Sequence, residues 1–188
     1  MLKIWSMKKE QQKSEVAAGS NKKKVTSAQL RVQKDLNELS LPDTISTHFP
    51  NPDDILNFVL TLTPDEGFYK GGVFTFTFAI SVNFPHEPPK VTCNEKIYHP
   101  NIDLNGNVCL NILRQDWMPV LDLNAVIVGI QFLFLEPNAG DWLNKEAADD
   151  MKGDRERFYR NVRSAMAGGT VKGETFKRVL KAKPGEKA

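Results

Sequence analysis

Alternating apolar and polar residues predict a run of β-strands in the first half of the chain. The clearest alternation is VFTFTFAISV, which lies within 72–82 and repeats with a period of two. Turn-forming residues separate the strands, and because the connections are short we expect consecutive strands to pair as an antiparallel meander. The predicted strands are 44–49, 55–63, 72–82 and 90–93.

Helical patterns bracket these strands. Thr26 and Gln29 have the spacing of a capping box, which predicts a first helix that ends near Leu41 and turns Arg31 towards solvent. The segment NAVIVGIQFLFL at 124–135 is apolar nearly all round, as expected of a central buried helix capped by Asp122 or Asn124.

Three further helices are predicted after this central one. Amphipathic patterns cover 144–152 and 154–166, with a break at Gly153, and a last helix is predicted over about 174–180. A helix, four strands, a long loop and then helices make an α+β domain.

The N-terminal tail differs in composition from the rest of the chain. Residues 8–25 contain almost no large apolar side chains, which predicts a flexible linker. The tail carries seven lysines against two glutamates, a net +5, so the remainder is −3. We expect a tail over 1–25, a folded domain over 26–182 and a disordered end over 183–188. The tail begins with an apolar cluster made of Met1, Leu2, Ile4, Trp5 and Met7.

Composition narrows the class of protein. A mildly acidic body argues against broad nucleic-acid binding. The longest apolar run falls far short of the roughly 20 residues that a membrane span needs. Two cysteines, Cys93 and Cys109, give no disulfide framework and predict a reducing compartment, cytosol or nucleus.

The long segment 94–121 lacks periodicity, and loops of this length in compact domains are usually functional. Cys109 is its only thiol, and two interpretations stay open: a small buried hydrophobe or a nucleophile. His99 is either a general base for Cys109, as in cysteine hydrolases, or a structural residue beside Pro100. Asn101 offers a neutral amide donor for an oxyanion.

A thiol with an amide donor and no committed base suits thioester exchange, because a thioester is already activated and an amine brings its own lone pair. The Cys and His residues are too few, and wrongly spaced, for a zinc site.

Over about residues 27–180 the chain resembles the ubiquitin-conjugating enzymes. The resemblance rests on FPHEPPKV at 84–91, HPN at 99–101, Cys109 eight residues beyond Asn101, Trp117 eight beyond Cys109, and LEPNAGDWLNKEAA at 135–148. It implies the family fold, namely an N-terminal helix, a four-stranded antiparallel meander and C-terminal helices. It also implies a two-step transfer without a metal or other cofactor, in which only the upstream activating enzyme uses ATP.

The resemblance assigns the chemistry to three residues. Cys109 would accept the C-terminal glycine of a ubiquitin-like protein as a thioester and pass it to a substrate lysine. Asn101 would support the loop and the oxyanion, and Asp141 would orient the incoming lysine and ease its deprotonation. An alternative for Asp141 is the N-cap of the helix at 144–152.

Other matched positions have supporting or docking roles in the family. The resemblance implies that Tyr98, His99, Pro100 and Trp117 pack and hold the active-site loop. It also implies that two loops, together with the first helix, form the docking surface for ligases. These two loops carry His86, Pro119 and Val120.

Two departures from the family pattern stand out. Ala139 and Gly140 lie in a segment where the family usually has two stiffening prolines, so we expect a less rigid loop around Asp141. Position 111 is Asn, whereas many ubiquitin-specific members have Asp there.

Asn111, His86, the LNKEAA run and the MLKIWSMK start resemble the branch of the family that carries the neddylation modifier to cullins. This implies that Ile4, Trp5 and Met7 dock in a groove of a heterodimeric activating enzyme. An N-acetylated Met1 and Leu2 would enter a pocket of a co-ligase. The other expected partners are the modifier, a RING-type ligase and a cullin, but no nucleic acid or membrane, and the chain is expected to be a monomer.

Three alternatives remain open at this point. One is the same chemistry with ubiquitin as the modifier. A second is a cysteine hydrolase that uses Cys109 and His99. A third is a non-catalytic binding module of the same fold, for which Cys109 would be dispensable.

Overall fold

The computed structural model describes residues 25–181. Its main sheet has four antiparallel strands in the order β1-β2-β3-β4, which confirms the predicted meander. Phe58 lies opposite Phe78 and Leu60 opposite Phe76, so large apolar side chains share one buried face. The strands are β1 (Ile45–His48), β2 (Asn57–Leu62), β3 (Phe74–Ala79) and β4 (Lys90–Cys93).

The described part of the chain also contains four α-helices. Phe134 of the central helix lies 4.9 Å from the ring of Phe74, so this helix covers the apolar face of the sheet. In residues 25–181 no helix is long and apolar enough to cross a membrane. The helices are α1 (Ser27–Asn37), α2 (Leu123–Leu135), α3 (Lys145–Gly153) and α4 (Arg155–Met166), and a short 3-10 helix spans Asn111–Leu113.

Helix α1 begins at the predicted capping box and ends at Asn37, before the predicted end near Leu41. Leu30 is 62% exposed, while the small Ala28 and the aliphatic Val32 are buried. The expectation that Arg31 faces solvent is wrong. Its guanidinium donates to the carbonyl oxygens of Pro119 (2.9 Å) and Leu121 (2.7 Å), because a long side chain can satisfy its donors on a neighbouring loop.

The last predicted helix, over 174–180, is also wrong. The chain instead forms a two-stranded hairpin, β5 (Thr170–Val171) and β6 (Glu174–Thr175), turned through Lys172 and Gly173 with positive φ. The residues that follow run extended, and the Val179 amide donates to the Met166 carbonyl at 2.9 Å. Backbone pairing with distant segments thus outweighs the weak helical pattern.

Candidate active site

A tight loop presses against β4 and sets the position of Cys109. The Cys93 amide donates to the Gly106 carbonyl at 2.9 Å. Gly106 has φ +87°, and a Cβ there would lie 2.0 Å from the Cys93 carbonyl oxygen, so the close approach requires glycine. Three residues beyond Gly106, the Cys109 amide donates to the Asn101 carbonyl at 2.8 Å, which places Cys109 beside Asn101.

The Cys109 side chain faces a carboxylate. Its Sγ donates to Asp141 Oδ2 at 3.2 Å, and the residue is only 4% exposed. Burial raises the pKa of the Cys109 thiol, the bond to Asp141 raises it further, and the positive charge of Arg114 acts in the opposite direction. The resting thiol is therefore protonated at neutral pH.

Cys93 is a contrasting thiol. Burial, with the charge of Glu95 as a second cause, raises the pKa of Cys93 to about 12, and its Sγ lies 3.4 Å from the Glu95 carbonyl oxygen. It packs in the hydrophobic core under the sheet. Cys93 is thus a small buried hydrophobic residue. This is the role that the sequence had left open for Cys109.

Asn101 ties the Cys109 loop to the loop that carries Asp141. Its Nδ2 donates to the carbonyl oxygens of Asn138 (2.8 Å) and Asp141 (2.6 Å), and its Oδ1 accepts from the Asn138 amide (2.8 Å). Both amide hydrogens are therefore engaged. The predicted support of the loop fits this geometry, whereas donation to an oxyanion stays a prediction that requires one of the two bonds to open.

The turn before Asp141 lacks the two prolines expected from the family resemblance, and hydrogen bonds hold it instead. Besides Asn101, the Asn138 side chain accepts from the Gly140 amide at 2.8 Å, so the turn before Asp141 is held at both ends. The alternative that Asp141 caps the following helix is wrong, because Asn144 accepts from the Ala147 amide as the N-cap of α3. Asp141 is exposed and its carboxylate remains available to the thiol.

The alternative that His99 is a general base for Cys109 conflicts with its geometry. Nδ1 accepts from the Asn101 amide at 2.9 Å, which leaves Nε2–H to donate to the Leu133 carbonyl at 3.0 Å. Burial lowers the pKa of His99 to about 3, despite the opposing bond to Leu133. A neutral ring with both nitrogens engaged holds the loop and takes no proton from a thiol.

The residue before His99 is anchored from the C-terminal helices, by partners that the sequence analysis missed. The Tyr98 hydroxyl donates to Asp150 Oδ2 at 2.7 Å, and the Tyr69 hydroxyl donates to the Tyr98 carbonyl at 2.9 Å. Asp150 is buried and is also bound by Arg157. The helical spacing could have predicted the burial of Asp150. It lies three residues after Ala147 and therefore on the same, buried face of the amphipathic helix.

Trp117 was predicted to hold the active-site loop, but its described contacts are with the loop before β4. Its Nε1 donates to the Pro85 carbonyl at 2.8 Å and its ring lies 5.8 Å from that of Phe84, so it joins the loops before β4 and before α2. Arg31 adds a third connection, since its guanidinium also lies over the Phe84 ring at 5.5 Å.

His86, Pro119 and Val120 are all exposed on the two loops that Trp117 joins, and Val120 is 79% exposed. The structure thus brings the predicted ligase-docking residues together on one surface, beside α1. Arg31 and Asp35 hold that surface. The Asp35 carboxylate accepts from Arg31 at 2.7 Å and from the Leu123 amide at 3.3 Å. Sequence analysis did not single out Asp35.

Several expectations concern residues outside the described range. Met1, Leu2, Ile4, Trp5 and Met7 lie there, as do the tail boundary and the C-terminal end. Within residues 25–181, no group of three or more His, Cys, Asp or Glu side chains is arranged to hold a metal ion.

The arrangement can carry an acyl group. A thioester on Cys109 would place its carbonyl carbon beside the Asp141 carboxylate, where an approaching lysine ammonium finds both a counter-charge and a proton acceptor. Because both ring nitrogens of His99 are engaged, its imidazole cannot activate water in the manner of a cysteine hydrolase.

Comparisons with known proteins agree with this chemistry. The model of the ubiquitin-conjugating enzyme family matches residues 31–166. The chain is 68% identical over 180 residues to the NEDD8-conjugating enzyme UBC12 of Yarrowia lipolytica, covering 96% of this chain and 99% of that protein. It is 57% identical over 176 residues to the Nedd8-conjugating enzyme UbcE2M of Drosophila melanogaster, covering 94% and 96% of the two chains.

A solved structure shows the same fold. Ubc12 of S. cerevisiae matches with a TM-score of 0.81 at 40% identity, covering 96% of this chain and all of that one. Family model, relatives and structure thus converge with the thiol, amide and carboxylate described above. The chain belongs to the ubiquitin-conjugating enzyme family.

Proposed function

We propose that this enzyme conjugates NEDD8: it accepts NEDD8 from the activating enzyme as a thioester on Cys109 and transfers it to substrate lysines, chiefly on cullins. The observation that carries the proposal is the Cys109 thiol bound to Asp141 at 3.2 Å, in a loop whose only histidine is locked in structural bonds. The choice of NEDD8 rests on the relatives, which carry that modifier in their names.

The first step is thioester exchange. Cys109 loses its proton and its sulfur attacks the thioester carbon of the activated modifier. A new carbon–sulfur bond forms to Cys109, the carbon–sulfur bond to the activating enzyme breaks, and the thiolate that leaves takes up a proton in place of the one that Cys109 released. Because burial and Asp141 raise the pKa of Cys109, the free enzyme keeps the thiol protonated until a partner brings the electrophile.

The second step is aminolysis. The lysine nitrogen attacks the thioester carbon, the carbon–nitrogen bond forms, and the Cys109 thiolate leaves and is reprotonated. A free lysine has a pKa of about 10.4, so little neutral amine exists at pH 7. Asp141 accepts the ammonium proton or holds the ammonium until it is lost, which raises the fraction of productive encounters.

Partner binding is divided between the tail and the body. The tail residues Ile4, Trp5 and Met7 dock on the activating enzyme, and acetylated Met1 with Leu2 docks on a co-ligase. A cullin-RING ligase docks on the surface of His86, Pro119 and Val120. The exposed side chains of the two loops support the ligase part of this proposal, and the compartment is proposed to be cytoplasm and nucleus.

A charging assay tests the proposal. The full chain is incubated with ATP and either the NEDD8 or the ubiquitin activating enzyme and its modifier, and products are resolved with and without reducing agent. We expect a reducible adduct with NEDD8 only, and with Cys109→Ser a non-reducible ester that does not turn over. Equal charging with ubiquitin, or isopeptide formation by Cys109→Ser, would overturn it.

Deleting residues 1–7 tests the role of the tail. We expect slower charging by the NEDD8 activating enzyme, with an unchanged rate of transfer from preformed thioester to free lysine. Unchanged charging kinetics would remove the docking role of the tail and leave the chemistry at Cys109 intact.

A further inference from the structure

An apolar groove in the described part of the chain lies away from Cys109. It has a volume of about 540 Å³ and opens between the C-terminal half of α1, strand β1 and the loop that follows β1. Its apolar lining is formed by Leu36, Leu39, Leu41, Phe49, Pro52 and Ile55. We call it the α1–β1 groove. A groove of this size and apolar character is typical of a binding site.

We propose that the α1–β1 groove receives the apolar N-terminal cluster of the same chain, Met1 to Met7. The cluster and the groove are complementary in kind: five apolar side chains, among them the indole of Trp5, and a groove with an apolar lining. Burying both surfaces removes apolar area from water without a partner protein.

The length of the connecting chain allows this contact. Seventeen residues separate Met7 from Val25, which lies just before α1. A flexible chain of that length has a root-mean-square span of about 21–25 Å. Leu36 and Leu39 lie about 14–18 Å along the axis from Ser27, at a rise of about 1.5 Å per residue. The groove is therefore within the most populated reach of the tail.

Charge also favours the tail as the occupant. The tail carries +5 and the rest of the chain −3. Exposed acidic residues adjoin the groove lining in sequence: Glu38 precedes Leu39, Asp43 follows Leu41 by two, and Asp53 follows Pro52. Lys34, 4.0 Å from Glu38, is the one basic side chain paired with this rim among the described residues. Lys3 lies within the apolar cluster and Lys8 and Lys9 directly follow it, so their charges complement these acidic residues.

Self-docking acts at high local concentration. A tether of this length gives an effective concentration on the order of millimolar, so a weak peptide contact is substantially populated. The docked state hides Trp5 from other proteins, so the apparent affinity of the tail for a partner is its intrinsic affinity multiplied by the undocked fraction. That consequence for activation rests on the proposed docking of the tail on the activating enzyme, whereas the self-contact itself does not.

Photo-crosslinking of the full chain tests the contact. A benzophenone amino acid replaces Thr47, which lines the groove, and the products are digested and mapped by mass spectrometry. We expect crosslinks within one chain to residues 1–7. A covalent dimer would assign the groove to a second copy, and the absence of any crosslink to 1–7 would leave it without the proposed occupant; either result overturns the proposal.

Methyl NMR gives a second readout that needs no modified groove. Trp5→Ala removes the ring current of an indole, so we expect shifts in the methyl signals of Leu36, Leu39 and Ile55. The exposed Val128 on α2 serves as the internal control and stays unchanged. Groove signals that stay unchanged in Trp5→Ala contradict the contact.

Charge reversal tests the complementarity. Glu38→Lys with Asp43→Lys should lower the crosslink yield by about threefold at low salt, and the control pair Asp65→Lys with Glu66→Lys, also exposed, should not. Equal yields from both pairs would contradict the electrostatic part. None of these measurements uses a modifier, so a failed charging assay would overturn the proposed function and leave this result standing.

Discussion

The Cys109 thiol donates to the Asp141 carboxylate across 3.2 Å, between loops that lie 32 residues apart in sequence. The contact makes the proposed nucleophile of the first step and the proposed proton acceptor of the second step immediate neighbours. It also explains why the resting thiol keeps its proton, since burial and this bond both raise the pKa of Cys109.

Replacing Asp141 should separate the two steps. We expect Asp141→Asn to slow discharge of the thioester to free lysine by about 100-fold at pH 7, because the ammonium loses its acceptor, while charging persists. The deficit should shrink as pH rises towards 10, where free amine becomes abundant. Single-turnover discharge measured from pH 6.5 to 9.5 checks this.

The control for that experiment is Asp149→Asn, which removes an exposed carboxylate paired with Lys145 on α3. Its discharge profile should match that of the unmodified enzyme. A pH-independent loss of rate in Asp141→Asn would assign Asp141 a structural role instead.

Asp141→Asn should also make the uncharged Cys109 thiol, without a bound modifier, more reactive. Removing the Asp141 charge lowers the pKa of Cys109 and raises the thiolate fraction at pH 8, so alkylation by iodoacetamide should accelerate. Arg114→Gln should have the opposite effect, because the Arg114 charge lowers that pKa. Alkylation rates followed against pH by mass spectrometry report both directions, and Cys93 should stay unlabelled in the folded protein.

Removing the Asn101 side chain should loosen the Asp141 loop. Asn101→Ala deletes three hydrogen bonds and leaves the Asn138 amide and two carbonyls unpaired, so we expect a loss of about 2–4 kcal/mol in the free energy of unfolding. Urea unfolding measures it. Asn105→Ala, an exposed position nearby in sequence, is the control and should change stability by less than about 0.5 kcal/mol.

His99 should make stability depend on pH. Its pKa is about 3 in the folded protein against an ordinary 6.5, so the unfolded chain binds a proton first as pH falls. The stability contributed by neutral His99 is fully present above pH 6.5 and is lost between 6.5 and 3, at about 1.4 kcal/mol per pH unit. His99→Gln should flatten this part of the curve, and the exposed His86→Gln should not; identical slopes in all three proteins would contradict it.

Arg31 should matter to the ligase-stimulated reaction alone. Arg31→Gln removes contacts to Pro119, Leu121 and the Phe84 ring, which join α1 to the two docking loops. We expect weaker stimulation by a RING ligase, with charging and unstimulated discharge to lysine unchanged. Arg160→Gln, exposed on α4, is the control. A parallel fall in all three rates would indicate a general loss of fold.

Sequence patterns predicted those elements whose periodicity is strong over many residues. The strands of the meander and helix α2 are of this kind, because one buried face, or a wholly buried helix, leaves a regular trace. The segment 174–180 was misassigned because its structure depends on carbonyls near Met166 and Gly71, which no local pattern records. Arg31 was misplaced for a similar reason, since its partners lie 88 and 90 residues away.

In the site, the roles predicted for Cys109, Asn101 and Asp141 came from the resemblance to the family, but the contacts of these residues could not be predicted. Asn101 donates both amide hydrogens to carbonyls of the Asp141 loop. This contact depends on how two loops that are distant in sequence pack together. Asp150 was overlooked because an acidic residue in a helix usually faces solvent, and only the packing of α3 against Tyr98 shows otherwise.

Three anchored residues within positions 98–101 are held from three separate elements: Tyr98 from α3, His99 from α2 and Asn101 from the 138–141 loop. Substitutions in the interior of α3, far along the chain from the thiol, will therefore score as catalytic defects in a mutational scan. The loss of activity caused by a substitution should therefore depend on whether it disturbs one of these three anchors, rather than on its distance from Cys109.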